Sequence, residues 1–195
     1  MKEKANPSII GHVLIKNKET KKEIVNKHNE IHFENMSIAL VKGLSHRPDG
    51  HIHEMHFGNG ASSVSAIGNI TYLPPNVQGS SADLYNSTYF KVIDDQSPLN
   101  LDPENNFMEI RHSSNNFFSD IIITATLDFN EPNGQEAFDD AINLENDFIF
   151  DEIGLKSFSN NPGTGLLLSH VIFNPIQKSL NRVIEIIYTI RVSLI

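Results

Sequence analysis

The sequence predicts a mainly β protein, an antiparallel β-sandwich with one amphipathic helix and a long extended arm. Its 24 isoleucines and 9 valines carry branched side chains that suit pleated sheets. Its 22 asparagines and 11 glycines are typical of turns between strands. A chain of 195 residues can bury one sizeable core, so we expect a single domain over residues 1–195.

The first 28 residues predict a β-hairpin. Two segments that favour strands, 8–16 and 22–28, flank a polar loop of hairpin length that contains Lys21. The hairpin region carries seven lysines and three glutamates, so its formal charge is 7 − 3 = +4. We therefore expect a basic hairpin at the start of the chain.

Residues 33–45 predict the one confident helix of the chain. The apolar and small residues Met36, Ala39, Leu40, Gly43 and Leu44 recur at the spacing of a single helical face. A glycine in a helix interior costs roughly 1 kcal/mol relative to alanine, so Gly43 is expected near the end of the helix.

Residues 58–87 predict an extended arm. The segment follows a strand predicted over 51–57, and it contains four glycines, the pair Pro74–Pro75 and little periodicity. An irregular stretch of this length is unusual inside a compact domain and usually has a function. Short apolar groups within it favour docking on another surface over disorder.

The rest of the chain predicts strands at 88–94, 107–112, 118–129, 147–156, 165–173 and 182–194, with a turn at Asn133–Gly134. The segments 118–129 and 182–194 alternate apolar and polar residues with a period of two. The last strand would span about 40 Å, so we expect it to cross a whole sandwich or to extend into a neighbouring subunit.

Charge and composition exclude several function classes. The formal net charge is −9, and residues 83–152 hold sixteen acids against two basic residues. An acidic surface argues against nucleic acid as a partner, and no apolar run is long enough for a membrane span. The absence of cysteine excludes disulfides and thiolate chemistry. The acidic band is either a solvated face or a complement to the basic hairpin of a second subunit.

Three histidines between residues 51 and 56 are the sharpest candidates for chemistry. On a strand, His51 and His53 would share one face and His56 would point to the other. Two imidazoles on one face suit a metal site of the cupin type, which would make the chain a small metal-dependent enzyme. Structural histidines in a half-buried strand are the interpretation adopted, so no metal and no cofactor are predicted.

Acidic pairs and known catalytic motifs give little support to an enzyme. Asp94 and Asp95 are interpreted as solvated acids. Asp151 and Glu152 interrupt an apolar strand, so at least one should face inward or towards a partner, and Lys156 and Arg191 are the candidate pairing partners. The sequence contains no nucleophile elbow, phosphate-binding loop or dinucleotide fingerprint. We therefore predict no catalytic residues.

The order of the segments resembles a family of tailed-bacteriophage virion proteins found among tail, baseplate, neck and fibre-attachment components. Those proteins commonly show an Asn-x-Asn segment, a helix, Gly-x-Gly, Glu-Ile-Gly-Leu, Pro-x-x-Lys and a terminal strand. The matching segments here lie between residues 26 and 194: Asn26–Asn29, the helix at 33–45, Gly58–Gly60, Glu152–Leu155, Pro175–Lys178 and the strand at 182–194.

The resemblance implies a structural component of a virion, folded in the bacterial cytoplasm, whose partners are copies of itself and other virion proteins. We expect the arm, the basic hairpin and the terminal strand to form the contacts between subunits. The candidate interface residues are Lys21, Lys22, Tyr72, Leu73, Pro74, Pro75, Leu84, Tyr85 and Tyr89. A capsid decoration protein and a carbohydrate-binding adhesin, with loop tyrosines stacking on sugars, are alternatives.

Overall fold

The structure, a computed structural model, describes residues 7–132 and 148–194. Residues 1–6 of the predicted hairpin, the predicted turn at Asn133–Gly134 and the first residue of the strand predicted at 147–156 lie outside this part of the chain. The elements, in chain order, are β1 (Pro7–Asn17), β2 (Glu23–Ile31), α1 (Phe33–Leu44), a 3-10 turn (Pro48–Gly50), β3 (Ile52–Gly58), β4 (Ser62–Val64), β5 (Ile70–Tyr72), β6 (Ser87–Val92), β7 (Phe107–Arg111), β8 (Phe118–Leu127), β9 (Phe148–Ser157), β10 (Leu167–Lys178) and β11 (Ile184–Leu194).

Nine of these strands form one antiparallel sheet, in the order β6-β3-β9-β10-β2-β1-β11-β8-β7. Among the described residues, the strand pairing that joins the two halves of the sheet is that of Ile31 and Glu30 of β2 with Ser169 and His170 of β10. Apolar residues from both halves belong to a single buried cluster. The hydroxyl of Tyr188 on β11 donates to Ser169 Oγ on β10 at 2.8 Å, across the core. The prediction of a mainly β, antiparallel fold is confirmed.

The terminal strand β11 lies inside the sheet. It pairs with β1 over the whole of Pro7–Asn17 and, on its other edge, with β8. Both rows of its backbone hydrogen-bonding groups are therefore used within the chain. An extension into a neighbouring subunit would therefore find no free backbone edge along β11, which is paired on both sides. Contact of this strand with another subunit stays a prediction.

The helix α1 matches its predicted position and ends at Leu44. The side chain of His32 caps it by accepting the backbone N–H of Asn35 at 3.2 Å. Met36 and Ala39 are buried, but Leu44 is 90% exposed. The predicted apolar stripe therefore covers the sheet only along the first half of the helix, and the last turn extends beyond it.

Two boundaries in the second half of the chain differ from the prediction. The strand predicted at 165–173 is longer than expected, because β10 continues through Pro175 to Lys178 after a register shift between Ile172 and Ile176. An irregular segment of a strand accommodates proline because few of its N–H groups are paired there. The strand predicted at 118–129 is shorter than expected, because β8 ends at Leu127, and Phe129 beyond it is 50% exposed.

Candidate functional site

The arm, residues 58–87, leaves the sheet after β3, forms the β4–β5 hairpin and returns over the outer face of β9 and β10 to β6. The base of this hairpin closes where the backbone N–H of Leu73 donates to the carbonyl of Ala61 at 2.9 Å. The hydroxyl of Tyr72 hydrogen-bonds the side chain of Asn174 on β10. The arm is therefore attached to its own sheet, and only the hairpin leaves it.

A fully buried carboxylate, Glu152 on β9, is the main anchor of the arm. Its Oε1 accepts the backbone N–H groups of Gly60 at 3.2 Å and Asn86 at 2.9 Å. Its Oε2 accepts the backbone N–H of Tyr85 at 3.0 Å and His170 Nε2–H at 2.9 Å. One side chain thus holds the outgoing and the returning ends of the arm together with strand β10.

The hydrogen bonds of His170 define its tautomer. The backbone N–H of Asn76 donates to Nδ1 at 2.9 Å, so Nε2 carries the proton that is donated to Glu152. Burial by itself raises the pKa of Glu152. The hydrogen bonds from His170 and from the backbone of Asn86 and Tyr85 outweigh that effect and hold the pKa below its usual value.

The neighbouring acid, Asp151, binds the outgoing end of the arm. Its carboxylate accepts the backbone N–H of Ala61 at 3.2 Å and also the hydroxyl of Ser62. Phe150 and Ile153 are both in the core, so the two residues between them cannot alternate and both turn outwards. Burial raises the pKa of Asp151 above its usual value, against the opposing hydrogen bonds from Ser62 and Ala61.

A second buried polar group lies farther along β3. The Nε2–H of His56 donates to Glu54 at 2.9 Å, and Nδ1 accepts the hydroxyl of Ser87 at 3.0 Å. Burial lowers the pKa of His56. Serine, histidine and carboxylate in series is an order used in nucleophilic catalysis, but there the base contacts serine through Nε2. Glu54 also accepts the backbone N–H of Gly163 at 3.0 Å. This contact indicates that Glu54 helps to hold the loop between β9 and β10 in place.

The predicted partners of the acidic pair on β9 are wrong. Lys156 binds Asp83 of the arm at 2.7 Å, and Arg191 binds Asp120 on β8 at 2.7 Å. One signal in the sequence indicated this site, namely two adjacent carboxylates inside an apolar strand. It did not indicate His170 as the partner of Glu152, because their pairing depends on the register of β9 and β10.

The predicted interface residues fall into two groups. Lys21, Lys22, Tyr72, Leu73, Pro74, Pro75 and Tyr85 are exposed or half-buried. Leu84 and Tyr89 are each 7% exposed, and Tyr89 belongs to the core cluster, so these two cannot contact a partner in this conformation. They are apolar because they pack inside the chain. Tyr85 is also committed locally, since its hydroxyl donates to the carbonyl of Pro74 at 2.7 Å.

The predicted histidine pair meets a third residue at the other end of β3. His51 Nε2 and His53 Nδ1 lie 3.3 Å and 3.4 Å from Asp94 Oδ2. His56 faces elsewhere, towards Glu54 and Ser87. His51, His53 and Asp94 are the residues of the described chain that could hold a metal ion. Asp94 was interpreted as a solvated acid, and its position at the end of the strand predicted at 88–94 was the available signal.

A groove with a volume of about 480 Å³ separates β2 from β10 where the two strands diverge. Its walls include Lys27 of β2 and Tyr72 and Leu73 of the arm. The ammonium of Lys27 donates to the carbonyl of Ile172 across the gap at 2.7 Å. Tyr72 and Leu73, two of the predicted interface residues, therefore lie beside backbone of β2 and β10 that is not paired in the sheet.

Within residues 7–132 and 148–194, the longest helix has 12 residues, and none is long and apolar enough to cross a membrane. No protein-family model, curated protein or solved structure matches the chain.

Proposed function

We propose that this protein is a homo-oligomeric structural component of a tailed-phage virion, in the tail, neck or baseplate, and that the tip of its arm contacts a second copy. The order of the segments supports the virion assignment through the resemblance described above. The observation that carries the assembly function is the β4–β5 hairpin, an apolar projection on a rigid base.

The tip of this hairpin is unusually apolar for a projection. Val64, Ile67 and Ile70 are 64%, 83% and 42% exposed. A two-stranded hairpin is marginally stable alone in water, and β4 and β5 pair only with each other in the described chain. Burial against a partner would stabilise such a hairpin and remove its apolar side chains from water.

The base of the arm favours presentation over disorder. Asp151 and Glu152 bind its two ends through backbone N–H groups and the hydroxyl of Ser62. A hairpin held in this way loses little further conformational entropy when it docks, so more of the buried area contributes to affinity. A second exposed apolar set lies on α1, where Phe33, Val41 and Leu44 are 69%, 67% and 90% exposed.

Charge favours a second copy of the same chain as the occupant. The basic loop of the first hairpin, with Lys21 and Lys22, is exposed, and the acidic residues Asp95, Glu104 and Glu109 are exposed on the same chain. Complementary surfaces on one chain support head-to-tail contacts, which close into rings when the rotation between copies allows it.

The test is the solution mass of a variant altered only at the tip. Deleting the whole arm would remove backbone N–H donors of the buried Glu152 and so mix a loss of stability with a loss of contact. We therefore choose Val64→Asp combined with Ile67→Asp. We expect wild-type protein to form a species larger than the 21.8 kDa monomer by sedimentation equilibrium. We expect the double variant to remain monomeric with unchanged circular dichroism, because both side chains are exposed.

Leu101→Asp is the matched control, because Leu101 is 95% exposed and lies outside the arm. It should assemble like wild type. Raising the salt concentration should weaken assembly if charge pairs contribute. A wild-type protein that stays monomeric, or a tip variant that assembles normally, would overturn the assembly function. Assembly of a protein that is absent from purified phage particles by mass spectrometry would overturn the virion assignment alone.

A further inference from the structure

We propose that His51, His53 and Asp94 form a binding site for a divalent first-row transition metal ion, with Zn²⁺ as the ion that the geometry fits best. The site is separate from the arm, and the proposal is independent of the assembly function. It rests on the convergence of three ligand atoms, on an unsatisfied buried nitrogen and on the groups that orient the ligands.

Two of the three separations between the ligand atoms match those of a zinc site. His51 Nε2 and His53 Nδ1 lie 3.3 Å and 3.4 Å from Asp94 Oδ2. All three atoms lie within 4.8 Å of one another. Bonds of about 2.0–2.1 Å in tetrahedral geometry place neighbouring ligands about 3.3–3.4 Å apart. Both measured separations from Asp94 therefore match the edge of a zinc tetrahedron.

The second observation is that the ring of His53 is 1% exposed and that its Nδ1 is a buried atom without a hydrogen bond in the described chain. The nearby Asp94 oxygen is within 4 Å but does not meet the geometry of a hydrogen bond. A buried polar atom without a partner costs roughly 1–3 kcal/mol, and a metal ion at this position would satisfy it.

The surroundings orient all three ligands. The backbone N–H of Gln96 donates to Asp94 Oδ1 at 3.0 Å, which leaves Oδ2 turned towards the histidines. The ring of Phe158 stacks on His51 at 5.4 Å and meets His53 edge-on at 5.0 Å. Groups that fix ligand orientation in this way contribute strongly to metal affinity.

The site has an open side. The side chain of His51 is 45% exposed, whereas those of His53 and Asp94 are 2% and 15% exposed. Three protein ligands with a solvent-facing fourth position is the arrangement of zinc sites that bind water or an exchangeable ligand. Two imidazoles and one carboxylate also suit Fe²⁺ and Mn²⁺, which bind the same donor types.

The experiment is an isothermal titration calorimetry measurement in which tag-free, chelator-treated full-length protein is titrated with ZnCl₂. We expect one Zn²⁺ per chain, and at least a tenfold weaker affinity for His51→Ala and for Asp94→Asn. His51 is exposed and Asp94→Asn preserves shape, so both variants should fold, which circular dichroism checks. His112→Ala, at an exposed histidine far along the chain, is the matched control and should bind like wild type.

Nuclear magnetic resonance of the histidine side chains identifies the atoms involved. Zn²⁺ should change the nitrogen chemical shifts of His51 Nε2 and His53 Nδ1 and leave those of the ring nitrogens of His56 unchanged. The proposal is overturned if saturable binding is absent below about 100 μM Zn²⁺, a limit of roughly −5.5 kcal/mol. It is also overturned if the two ligand variants bind as tightly as His112→Ala. In either case the three side chains form only histidine–aspartate ion pairs.

Discussion

Glu152→Gln tests whether one buried carboxylate holds the arm on the sheet. The substitution keeps the shape of the side chain but replaces one of its two oxygens with an NH₂ group. Each oxygen accepts two hydrogen bonds, from Gly60 and Asn86 on one side and from Tyr85 and His170 on the other. In either orientation of the glutamine amide, its NH₂ group faces two buried N–H groups, so three donors meet and no acceptor is present for the two N–H groups.

The cost follows from these contacts. Hydrogen bonds to a charged group contribute about 1.5–3 kcal/mol each, and a buried donor left unpaired costs about 1–3 kcal/mol. Because Glu152 is 0% exposed, water does not replace the lost partners. Removing one partner of a buried charged network typically costs about 3–5 kcal/mol, and we expect a loss of this size in the free energy of unfolding. For a chain of this length it corresponds to a fall in Tm of about 6–20 °C.

Two measurements separate global from local effects. Urea denaturation followed by circular dichroism gives the free energy of unfolding, and amide hydrogen exchange at Gly60, Tyr85 and Asn86 reports on the arm itself. In Glu152→Gln, we expect hydrogen exchange to become faster than in wild type at these three amides, and to change less at the amides of β11. Glu104→Gln is the control, because it makes the same chemical change on an exposed carboxylate and should change stability by less than about 0.5 kcal/mol.

The reasoning is refuted if Glu152→Gln unfolds within about 0.5 kcal/mol of wild type and the three arm amides keep their protection. That result would mean that the arm is held by its apolar contacts and that the buried carboxylate contributes little.

The remaining predictions concern buried residues of β9 and β10. Because the folded pKa of Glu152 lies below the unfolded value of 4.5, its stabilisation is present above pH 4.5 and is lost as pH falls, so the stability gap between wild type and Glu152→Gln should narrow in acid. Gly154→Ala would place a Cβ 2.5 Å from Leu84 Cδ1 and should cost about 1–3 kcal/mol in urea denaturation, whereas Gly43→Ala at the helix end should not destabilise. Lys178→Met should cost about 1–3 kcal/mol by the same measurement, because the buried ammonium is the donor to the carbonyl of Glu131, whereas the carbonyls of Asp128 and Ser179, which it also contacts, still accept backbone N–H groups. Equal stability of Lys178→Met and wild type would contradict this last expectation.

Local patterns predicted most of the secondary structure. The 3.6-residue period at 33–45 located α1, and the alternation at 118–129 located β8, because side-chain direction in each element depends only on nearby residues. The segment 58–87 was recognised as unusual, but the hairpin β4–β5 within it was not predicted. Three-residue strands are too short to show a period.

The candidate sites were predicted only in part. His51 and His53 were identified as a pair because alternate residues of a strand share a face. Asp94 and His170 were missed as partners, since each is brought into place by a different strand. Contacts between residues far apart in sequence depend on strand order and register, which a single sequence does not specify.

The sequence by itself determined that this chain is mainly β, with one amphipathic helix, a basic beginning and an acidic middle. Composition and short-range periodicity are enough for these properties. Only the tertiary structure decided that the terminal strand lies inside the sheet and that the arm folds back onto Glu152. Only the tertiary structure brought Asp94 to the two histidines. The physical reason is that a strand's alternation shows which face is buried, whereas the partner that buries it depends on pairing across the whole chain.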